Sequence, residues 1–561
     1  MSDDDELAVL LQALKERSGR SYTALARRTG LSRSSVHRYC LGLTVPGSFG
    51  TVEAVAQACG ADQRERDRLY RAWARADAQR EADAQHDGPG APDDPGEPEG
   101  QPATSVTESV PPPAPPRPRR DRPSRRLLGA GVAFLLVVAA LAGSVAYQAA
   151  HDSQGDGAAS GHATDYWADD PIPVPAAYVG MTMNSHTGAM PGFGVGSVRL
   201  WESDTRWATV EPERGRPKWT YMEDLVTGAR KARLPVLFTF GGTPRWAAPG
   251  GRRSAYGDAL ASPPRRLADW DRFVREVATR FKGRIDAYEL WDNVASPSHY
   301  AGSPRTLATM VRHASGIIKT IDRDATVVCP SIGRLWEAAG QDFLRAFMRA
   351  EGYRHCDVAA FKLHPHRADG PPEEIIELAA RARRILYEKD LGIPIWNTGP
   401  GKDVATVGPL GARRAADYGV RFYLAGLYSR FYDVERMYFY SWGSTAVPVV
   451  VQTPVGPPTE AARRIGLLRD WLAGAAVTDC GRGAKVRLPG DAYECRFERG
   501  QERFAIRWTA SGGKDAAAAP LGAGARRVRT LDGAERAARP GERLRFGEEP
   551  VLVTYRRIGN R

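Results

Sequence analysis

The chain contains few cysteines for its length of 561 residues, and they are not arranged for metal binding. They form no CxxC pair, and no histidine is interleaved with them at the spacing of metal ligands, so we predict no metal site and no cofactor. The amino terminus has no apolar region and is acidic from Ser2 to Glu6, so no cleavable signal peptide is expected. The six cysteines are Cys40, Cys59, Cys329, Cys356, Cys480 and Cys495.

The sequence also lacks a large excess of one charge. The formal net charge is +12, which is modest for this length and excludes a protein that is basic over its whole surface. The chain is too long for one domain, since a domain usually contains about 100–200 residues. Its composition changes several times, which divides the chain into segments of different character.

One segment has no charged residue. It extends from Leu127 to Ala150, and about 20 apolar residues are enough for a helix to cross a bilayer. Arginines are concentrated just before it, in 117–126, whereas 151–162 contains neither Lys nor Arg. Because Arg clusters remain in the cytoplasm, this pattern predicts a single-pass cell-membrane protein with a cytoplasmic amino terminus and an extracellular carboxy-terminal part.

These changes in composition predict six segments. The stretch before the apolar segment is rich in Pro, Gly, Asp and Glu and cannot bury enough apolar surface to fold, so we expect a disordered linker there. The predicted segments are a helical domain at 1–80, this linker with its basic end at 81–126, a transmembrane helix at 127–150, a second linker at 151–170, a barrel at 171–474 and a β-sandwich at 475–561.

The first segment has the pattern of a helix-turn-helix domain. Ala26, Gly30, Val36 and Tyr39 follow the spacing A-x3-G-x5-V-x2-Y. The small alanine allows two helices to approach, the glycine permits a left-handed turn, and the valine is buried beneath both. Ser21 is a suitable amino-terminal cap for the second helix. The predicted helices are 5–18, 22–29, 33–41, 52–59 and 62–76.

This pattern resembles the domains of the Cro and phage-repressor family, in which the second helix of the pair enters the major groove of DNA. The resemblance implies that arginines of the third helix meet phosphate or guanine and that serines donate to phosphate oxygens. Some membrane-tethered domains of this type bind a cytoskeletal protein instead, so a protein partner stays open. The implied DNA-binding residues are Ser32, Arg33, Ser34, Ser35, His37 and Arg38.

The largest segment contains eight short β-like runs separated by helical stretches. Such alternation is typical of parallel strands covered on both faces, and eight units predict a (β/α)8 TIM barrel with its working face at the carboxyl ends of the strands. The predicted strands are 177–183, 195–201, 235–241, 286–291, 325–330, 358–364, 394–398 and 436–442, and the clearest helices are 270–281, 304–320 and 373–389.

From about Ala476 the pattern changes to short alternating runs separated by turns, which predicts a small antiparallel β-sandwich packed on the barrel. The predicted fold class is therefore multidomain, with an all-α helix-turn-helix domain, one transmembrane helix, the barrel and this sandwich. The predicted strands of the sandwich are 484–488, 492–498, 503–508, 525–531, 542–546 and 550–556.

Three strand ends of the barrel resemble the retaining glycoside hydrolases of clan A, nearest the β-xylosidase and iduronidase family. Tyr288–Asn293 reads YELWDN and matches Y-E-x-W-N-E, and Pro394–Gly399 reads PIWNTG and matches P-I-W-x-T-E. Phe240–Trp246, which reads FGGTPRW, matches the loop after the third strand. The resemblance covers about residues 179–555 and implies a barrel that binds sugars.

The same resemblance implies two catalytic carboxylates, one acid/base and one nucleophile, at the last residues of the first two motifs. Those positions hold Asn293 and Gly399, which supply neither a proton nor a nucleophile. Asp292 and the loop residue Asp403 are poorly placed substitutes, and Glu289 is expected deeper in the barrel as a structural, hydrogen-bonded acid. We therefore predict a pseudoenzyme without catalytic residues.

Loss of both carboxylates removes the mechanism but leaves the pocket. Aromatic rings stack on the apolar faces of sugars, while Arg, Asn and His side chains supply hydrogen bonds. For any one tryptophan, packing within the barrel explains its position in the sequence as well as sugar binding does. The predicted carbohydrate-binding residues are Arg199, Trp201, Trp246, Trp291, Asn293, His364, His366, Trp396, Tyr440 and Trp442.

The leading functional hypothesis is a membrane-anchored, DNA-binding transcription regulator with an extracellular, inactive barrel that binds a carbohydrate or cell-wall glycan. Its predicted partners are DNA through residues 1–80, the glycan, the membrane and a second copy of the chain, because homodimerisation or proteolytic release would couple the two halves. The alternatives are a cell-envelope scaffold whose helix-turn-helix domain binds protein, and an active surface glycosidase with relocated carboxylates.

The cysteines divide into two groups. Cys40 and Cys59 are expected to be core thiols, whereas the other four permit disulfides in an oxidising compartment. A bond between Cys480 and Cys495 fits the short strands around them. Residues 329 and 356 lie at opposite ends of neighbouring predicted strands, so we expect them about a strand's length apart and not bonded.

Overall fold

The computed structural model describes residues 3–29, 31, 33–42, 44–46, 49–86, 171–367, 370–399, 410–444, 447–513 and 516–556. The predicted second linker, almost all of the first and the loop residue Asp403 lie outside these ranges, as do Gly30 and Ser32. The described residues form a group of amino-terminal helices, a barrel and two further β-sheets.

The helices predicted at the amino terminus are present and in the predicted order. The last of them is longer than predicted and continues past 76 to His86, so the first six residues of the predicted linker are helical. The helices are α1 (Asp3–Arg17), α2 (Tyr22–Thr29), α3 (Arg33–Cys40), α4 (Phe49–Ala58) and α5 (Gln63–His86).

These five helices enclose a small core of their own. Val36 of α3 is fully buried, as the helix-turn-helix pattern predicts, and so is Leu25 of α2. Phe49 packs edge-on against Tyr70, with ring centroids 4.7 Å apart. The Ser21 Oγ accepts a hydrogen bond from the Ala24 amide at 3.2 Å, which confirms the predicted cap of α2.

All eight predicted barrel strands are present and parallel. Seven of the eight neighbouring pairs form one continuous sheet, and a parallel bridge between Val328 and Val358 joins its two ends, so the barrel is closed. The strands are β2 (Val179–Met183), β3 (Ser197–Leu200), β4 (Val236–Thr239), β5 (Ala287–Glu289), β6 (Thr326–Val328), β7 (Ala359–Phe361), β8 (Ile395–Asn397) and β9 (Val434–Trp442).

Amphipathic helices cover the outside of the barrel. In one of them Trp270, Phe273 and Val277 recur at helical spacing and are all buried. The helices are α6 (Trp207–Val210), α7 (Thr220–Lys231), α8 (Leu267–Arg280), α9 (Pro304–Ile321), α10 (Ala338–Arg349), α11 (Glu374–Tyr387), α12 (Ala412–Tyr428) and α13 (Glu460–Leu472).

The carboxy-terminal strands form a seven-stranded and a two-stranded antiparallel sheet, and the short strand β1 (Ile172–Pro173) joins the larger one. The strand predicted at 484–488 is wrong: Gly483–Val486 is a 3-10 turn, flanked by the left-handed residues Gly483 and Arg487. The strands are β10 (Ala476–Arg482), β11 (Ala492–Arg499), β12 (Glu502–Thr509), β13 (Ala517–Pro520), β14 (Ala525–Arg529), β15 (Glu535–Ala537), β16 (Arg543–Phe546) and β17 (Val551–Tyr555).

The predicted membrane anchoring is corrected by the structure. Among the residues it describes, no helix is both long and apolar enough to cross a bilayer. The longest of these helices, α5, has 24 residues but is rich in Arg, Asp and Glu, and a membrane helix needs about 20 consecutive apolar residues. This finding contradicts the transmembrane helix in the predicted fold class and the predicted cell-membrane localisation. The predicted span, 127–150, itself lies outside the described residues.

Two disulfides are present. Cys480 and Cys495 are directly opposite in β10 and β11, with Cα atoms 4.1 Å apart, as predicted. The bond between Cys329 and Cys356, with Cα atoms 5.4 Å apart, corrects the prediction that these residues are too distant. The strand β6 is only three residues long and ends directly before Cys329. The Asp357 amide donates to the Val327 carbonyl at 2.8 Å, which brings residue 356 alongside 329.

Candidate functional site

The interior of the barrel changes from apolar to charged toward the carboxyl ends of its strands. Since side chains alternate along a strand, Trp396 and Thr398 both face inward but occupy successive layers. Trp396 lies in the apolar layer, where the guanidinium of Arg436 stacks 3.8 Å from its ring. Trp396 therefore packs within the barrel and is not in the charged layer. The apolar layer consists of Leu237, Ala287, Val328, Val358, Ala360, Trp396 and Tyr438.

Glu289 is the centre of the next layer. Its carboxylate accepts hydrogen bonds from the Arg199 Nε at 2.8 Å, from the Thr239 hydroxyl at 2.7 Å and from the Thr398 hydroxyl at 3.0 Å. The residue is fully buried. These contacts confirm the prediction that Glu289 is a deep, structural acid, because its oxygens are occupied by the barrel itself.

Asp292, immediately above, is held by three donors. The Arg199 Nη2 donates to its Oδ1 at 2.6 Å, the Tyr256 hydroxyl donates to its Oδ2 at 3.0 Å, and Lys362 forms an ion pair with it. Burial alone would raise the pKa of Asp292, but Lys362 and Arg199 hold it well below its usual range. The carboxyl group is therefore ionised at neutral pH. Arg199, Lys362, Glu289 and Asp292, which we call the charged quartet, have balanced formal charges.

Several polar atoms beside the charged quartet are buried without a hydrogen-bond partner among the described residues. They are the Arg199 Nη1, the Thr182 hydroxyl and the Ser441 hydroxyl. Thr182 is directly opposite Arg199 in the parallel pairing of β2 and β3. Ser441 lies in β9 within the irregularity of the β2–β9 pairing, between the pairs Met181–Phe439 and Met183–Trp442. Buried polar groups in proteins nearly always have a partner, so these atoms indicate a place for polar ligand groups or water.

The two positions expected to carry the catalytic carboxylates have unusual backbones. Asn293 is left-handed, with a φ of 48°, and its Oδ1 lies only 2.5 Å from where a Cβ on Gly333 would be. Gly399 has a φ of 84°, and a Cβ there would be 2.8 Å from the Tyr438 carbonyl oxygen. The chain at 399 is therefore shaped for a residue without a side chain.

Two of the predicted aromatic residues lie beside the charged quartet. The Trp201 ring packs edge-on against Tyr256, with centroids 5.4 Å apart, and the Arg206 guanidinium is 5.2 Å from it. Burial and the nearby Glu202 carboxylate raise the pKa of the Tyr440 hydroxyl well above its usual value. The Trp201 ring is itself buried, whereas Tyr440 is half-buried.

The remaining predicted tryptophans pack elsewhere. Trp291 and Trp442 are completely buried, and Trp246 lies edge-on against Trp207. Each uses its indole N–H within the protein. The acceptors are the Glu211 carbonyl for Trp246 (2.9 Å), the His299 carbonyl for Trp291 (3.0 Å) and the Gln452 Oε1 for Trp442 (2.9 Å).

The two histidines that were predicted to bind a sugar both lie against Trp336, which the sequence analysis did not predict as a site residue. The His364 and His366 rings lie 4.8 Å and 5.2 Å from Trp336. His364 is buried and bonded to the Pro365 carbonyl at 2.8 Å, and burial lowers its pKa to about 4, so it is neutral at pH 7. His366 is exposed.

Sequence reasoning missed Lys362 and Tyr256, which complete the charged quartet and its hydrogen bonds. Lys362 directly follows β7, and a lysine at the end of an apolar run was the signal that could have identified it. Tyr256 comes from the long loop after β4, and no periodic pattern places such a residue.

The helix α3 presents the predicted DNA-binding face only in part. His37 and Arg38 are exposed, Ser35 is half-buried, and Val36 faces the core. The His37 ring lies edge-on against Tyr22 at 4.9 Å. Arg33 and Ser34 belong to α3, and Ser32 lies outside the described residues.

Comparison with known proteins identifies the amino-terminal region. Residues 6–69 match the family model described as a helix-turn-helix domain, so this part of the chain is a helix-turn-helix domain. The match covers a small part of the chain and says nothing about the rest. No curated protein matches the sequence.

Among solved structures, the chain is similar to a family 39 glycoside hydrolase from Bacteroides cellulosilyticus WH2. The TM-score is 0.51 at 17% identity, covering 65% of this chain and 76% of that one. A monomeric β-xylosidase from Caulobacter crescentus CB15 matches at 10% identity with a TM-score of 0.49, covering 70% and 98%. The first similarity shows that the barrel has the glycoside hydrolase fold, in agreement with the sequence resemblance, and it concerns the fold alone.

Proposed function

We propose that the protein is a DNA-binding regulator whose glycoside-hydrolase-like barrel binds a carbohydrate without hydrolysing it. The proposed absence of hydrolysis rests on the backbone at position 399. A side chain there would clash with the Tyr438 carbonyl, at the position where a nucleophile is needed. A retaining glycosidase requires two carboxylates about 5–5.5 Å apart, and position 293 is an asparagine.

The charged quartet does not replace the missing pair. A general acid must be protonated near neutral pH, and Arg199 and Lys362 favour the ionised form of Asp292. Both Asp292 oxygens already accept hydrogen bonds, and Glu289 is saturated by its own donors. These contacts argue against the alternative of an active glycosidase that uses Asp292.

The same region is suited to bind a neutral sugar. Its formal charges balance, its unpartnered polar atoms can hydrogen-bond to hydroxyl groups, and the half-buried ring of Tyr440 is the accessible aromatic surface predicted for this layer. Hydroxyl-rich ligands match such a mixture of rings and fixed hydrogen-bonding groups.

For the amino-terminal domain, the exposed Arg38 and His37 on α3 support DNA as the partner. The helix-turn-helix family places this helix in the major groove, and its members commonly bind as dimers to two half-sites. In the alternative, the protein is a scaffold, and the same exposed face of α3 contacts a partner protein instead of DNA.

The DNA proposal is tested with the full-length chain. We expect it to enrich specific duplexes from a random pool, with salt-sensitive affinity and two chains per duplex. Arg38→Ala should weaken this binding about tenfold or more, because it removes a charge-assisted contact. Arg71→Ala, which removes an exposed arginine of α5, is the matched control. Absence of any enriched duplex would refute the proposal and favour the scaffold.

A further inference from the structure

The seven-stranded sheet has an arginine-lined cleft that the proposed function does not use. Its volume is about 840 Å³, and it is open to solvent. We call it the arginine cleft and define it by Arg526, Arg527, Arg529, Arg556, Glu502 and Thr554. Glu502 is its one acidic lining residue among those described. The segment 476–561 as a whole contains 18 Lys and Arg against 11 Asp and Glu.

Strand register explains how the arginines meet. In the pairing of β14 with β17, Arg527 is opposite Thr554 and Arg529 is opposite Leu552, so both arginines lie on the same sheet face as these partners. The register shifts between Ala525 and Arg527, which makes Arg526 an extra residue. This bulge interrupts the alternation, and Arg526 and Arg527 are both exposed.

The arginines are only partly neutralised. Glu535 receives hydrogen bonds from Arg527 at 2.6 Å and from Arg529 at 2.7 Å, so one carboxylate serves two guanidinium groups. The acidic lining residue Glu502 is bound by Arg499 at 2.6 Å.

At the other two arginines the positive charge is uncompensated. The exposed side chains of Arg526 and Arg556 form no ion pair with a described residue. The cleft thus keeps a surplus of positive charge.

We propose that the arginine cleft binds an extended acidic polysaccharide or polyol whose repeated carboxylate or phosphate groups pair with these guanidinium groups. Arginine binds both anions in a bidentate, planar geometry. Nucleic acid is disfavoured, because single strands are held by stacking on exposed aromatic rings, and the one aromatic lining residue, Tyr555, is buried. This site is separate from the charged quartet and does not depend on the barrel function.

The test measures binding of the full-length chain to immobilised polygalacturonate, poly(glycerol phosphate) and neutral dextran at low and high salt. The cleft variant is Arg526→Gln/Arg556→Gln. Its matched control is Arg305→Gln/Arg312→Gln, which removes two exposed arginines of α9 and the same charge. Both pairs are on the surface, so folding is expected to persist in each.

We expect salt-sensitive binding to at least one polyanion, about tenfold weaker in the cleft variant and unchanged in the control. The polymer more strongly affected identifies the anionic group. Equal losses in the two variants would overturn the proposal, because only overall charge would then matter. Binding to neither polyanion, or equal binding to dextran, would also overturn it.

Discussion

The barrel keeps the buried Asp292 carboxyl group ionised, although removing this charge from water is unfavourable. A carboxylate buried to this extent is stable only because Arg199, Lys362 and Tyr256 all direct hydrogen-bond donors at it. Since its pKa is lowered in the folded state, its stabilising effect is present above the unfolded pKa of about 3.9 and is lost as the pH falls further.

Asp292→Asn should therefore destabilise the barrel by about 3–5 kcal/mol, since it leaves two buried cations short of a partner. Adding Lys362→Met should restore part of this loss, because it removes one of those cations. The urea midpoint of the barrel transition measures both effects. Glu213→Gln, which breaks an exposed pair with Arg216, is the control and should change stability by less than about 1 kcal/mol. The account would be contradicted if Asp292→Asn/Lys362→Met lost as much unfolding free energy as Asp292→Asn and Lys362→Met lose separately, added together.

Gly399 determines whether a substitution can restore a catalytic carboxylate to the site. A side chain there meets the Tyr438 carbonyl and must adopt a left-handed backbone. Gly399→Ala should cost about 1–3 kcal/mol of unfolding free energy. Gly316→Ala, at an exposed helical glycine with nothing near its Cβ position, should be neutral or stabilising.

The same strain predicts that Asn293→Glu/Gly399→Glu fails to hydrolyse aryl-glycosides. Release of the aryl group is the measurement. Turnover by the double variant would show that position 399 accepts a carboxylate in a working geometry, which the observed backbone disfavours.

Sequence reasoning at this scale succeeded for Glu289, because position in a strand fixes which way a side chain points. The loss of the catalytic carboxylates at 293 and 399 stays a prediction. The sequence pattern did not distinguish Trp246, Trp291, Trp396 and Trp442, which pack within the protein, from rings that face a ligand. An aromatic residue near a strand end has the same pattern whether it faces a ligand or the core. The packing around each ring in the folded protein separates the two cases.

Among elements, the barrel strands and the three clearest helices between them were predictable, and the loops were not. A strand buried on both faces is a short apolar run, and this signal is present for all eight. The helix-turn-helix pattern was equally informative, since Val36 is buried where the spacing requires. The loop after β4 that carries Tyr256 has no such pattern.

The elements around the cysteines lead to a prediction about thiols. The pairs Cys329–Cys356 and Cys480–Cys495 are bonded, whereas Cys40 and Cys59 are free and buried. Alkylation of the unfolded, unreduced chain should therefore modify two cysteines, and alkylation after reduction should modify all six. Intact mass gives the count. More than two modified cysteines before reduction would mean that one of the bonds is absent.

For the whole molecule, a helix-turn-helix domain and a glycoside-hydrolase fold occur in one chain. The two parts have separate hydrophobic cores. This combination is why we propose a regulator that responds to a carbohydrate.

The most direct test is a glycan array probed with the full-length chain, followed by mass analysis of the bound glycans. Our account predicts binding to a defined set of neutral glycans that are recovered intact. Tyr440→Ala should abolish this binding, and Tyr387→Ala, which removes an exposed ring of α11, should leave it unchanged. Recovery of shortened glycans, or binding that does not depend on Tyr440, would contradict the central claim.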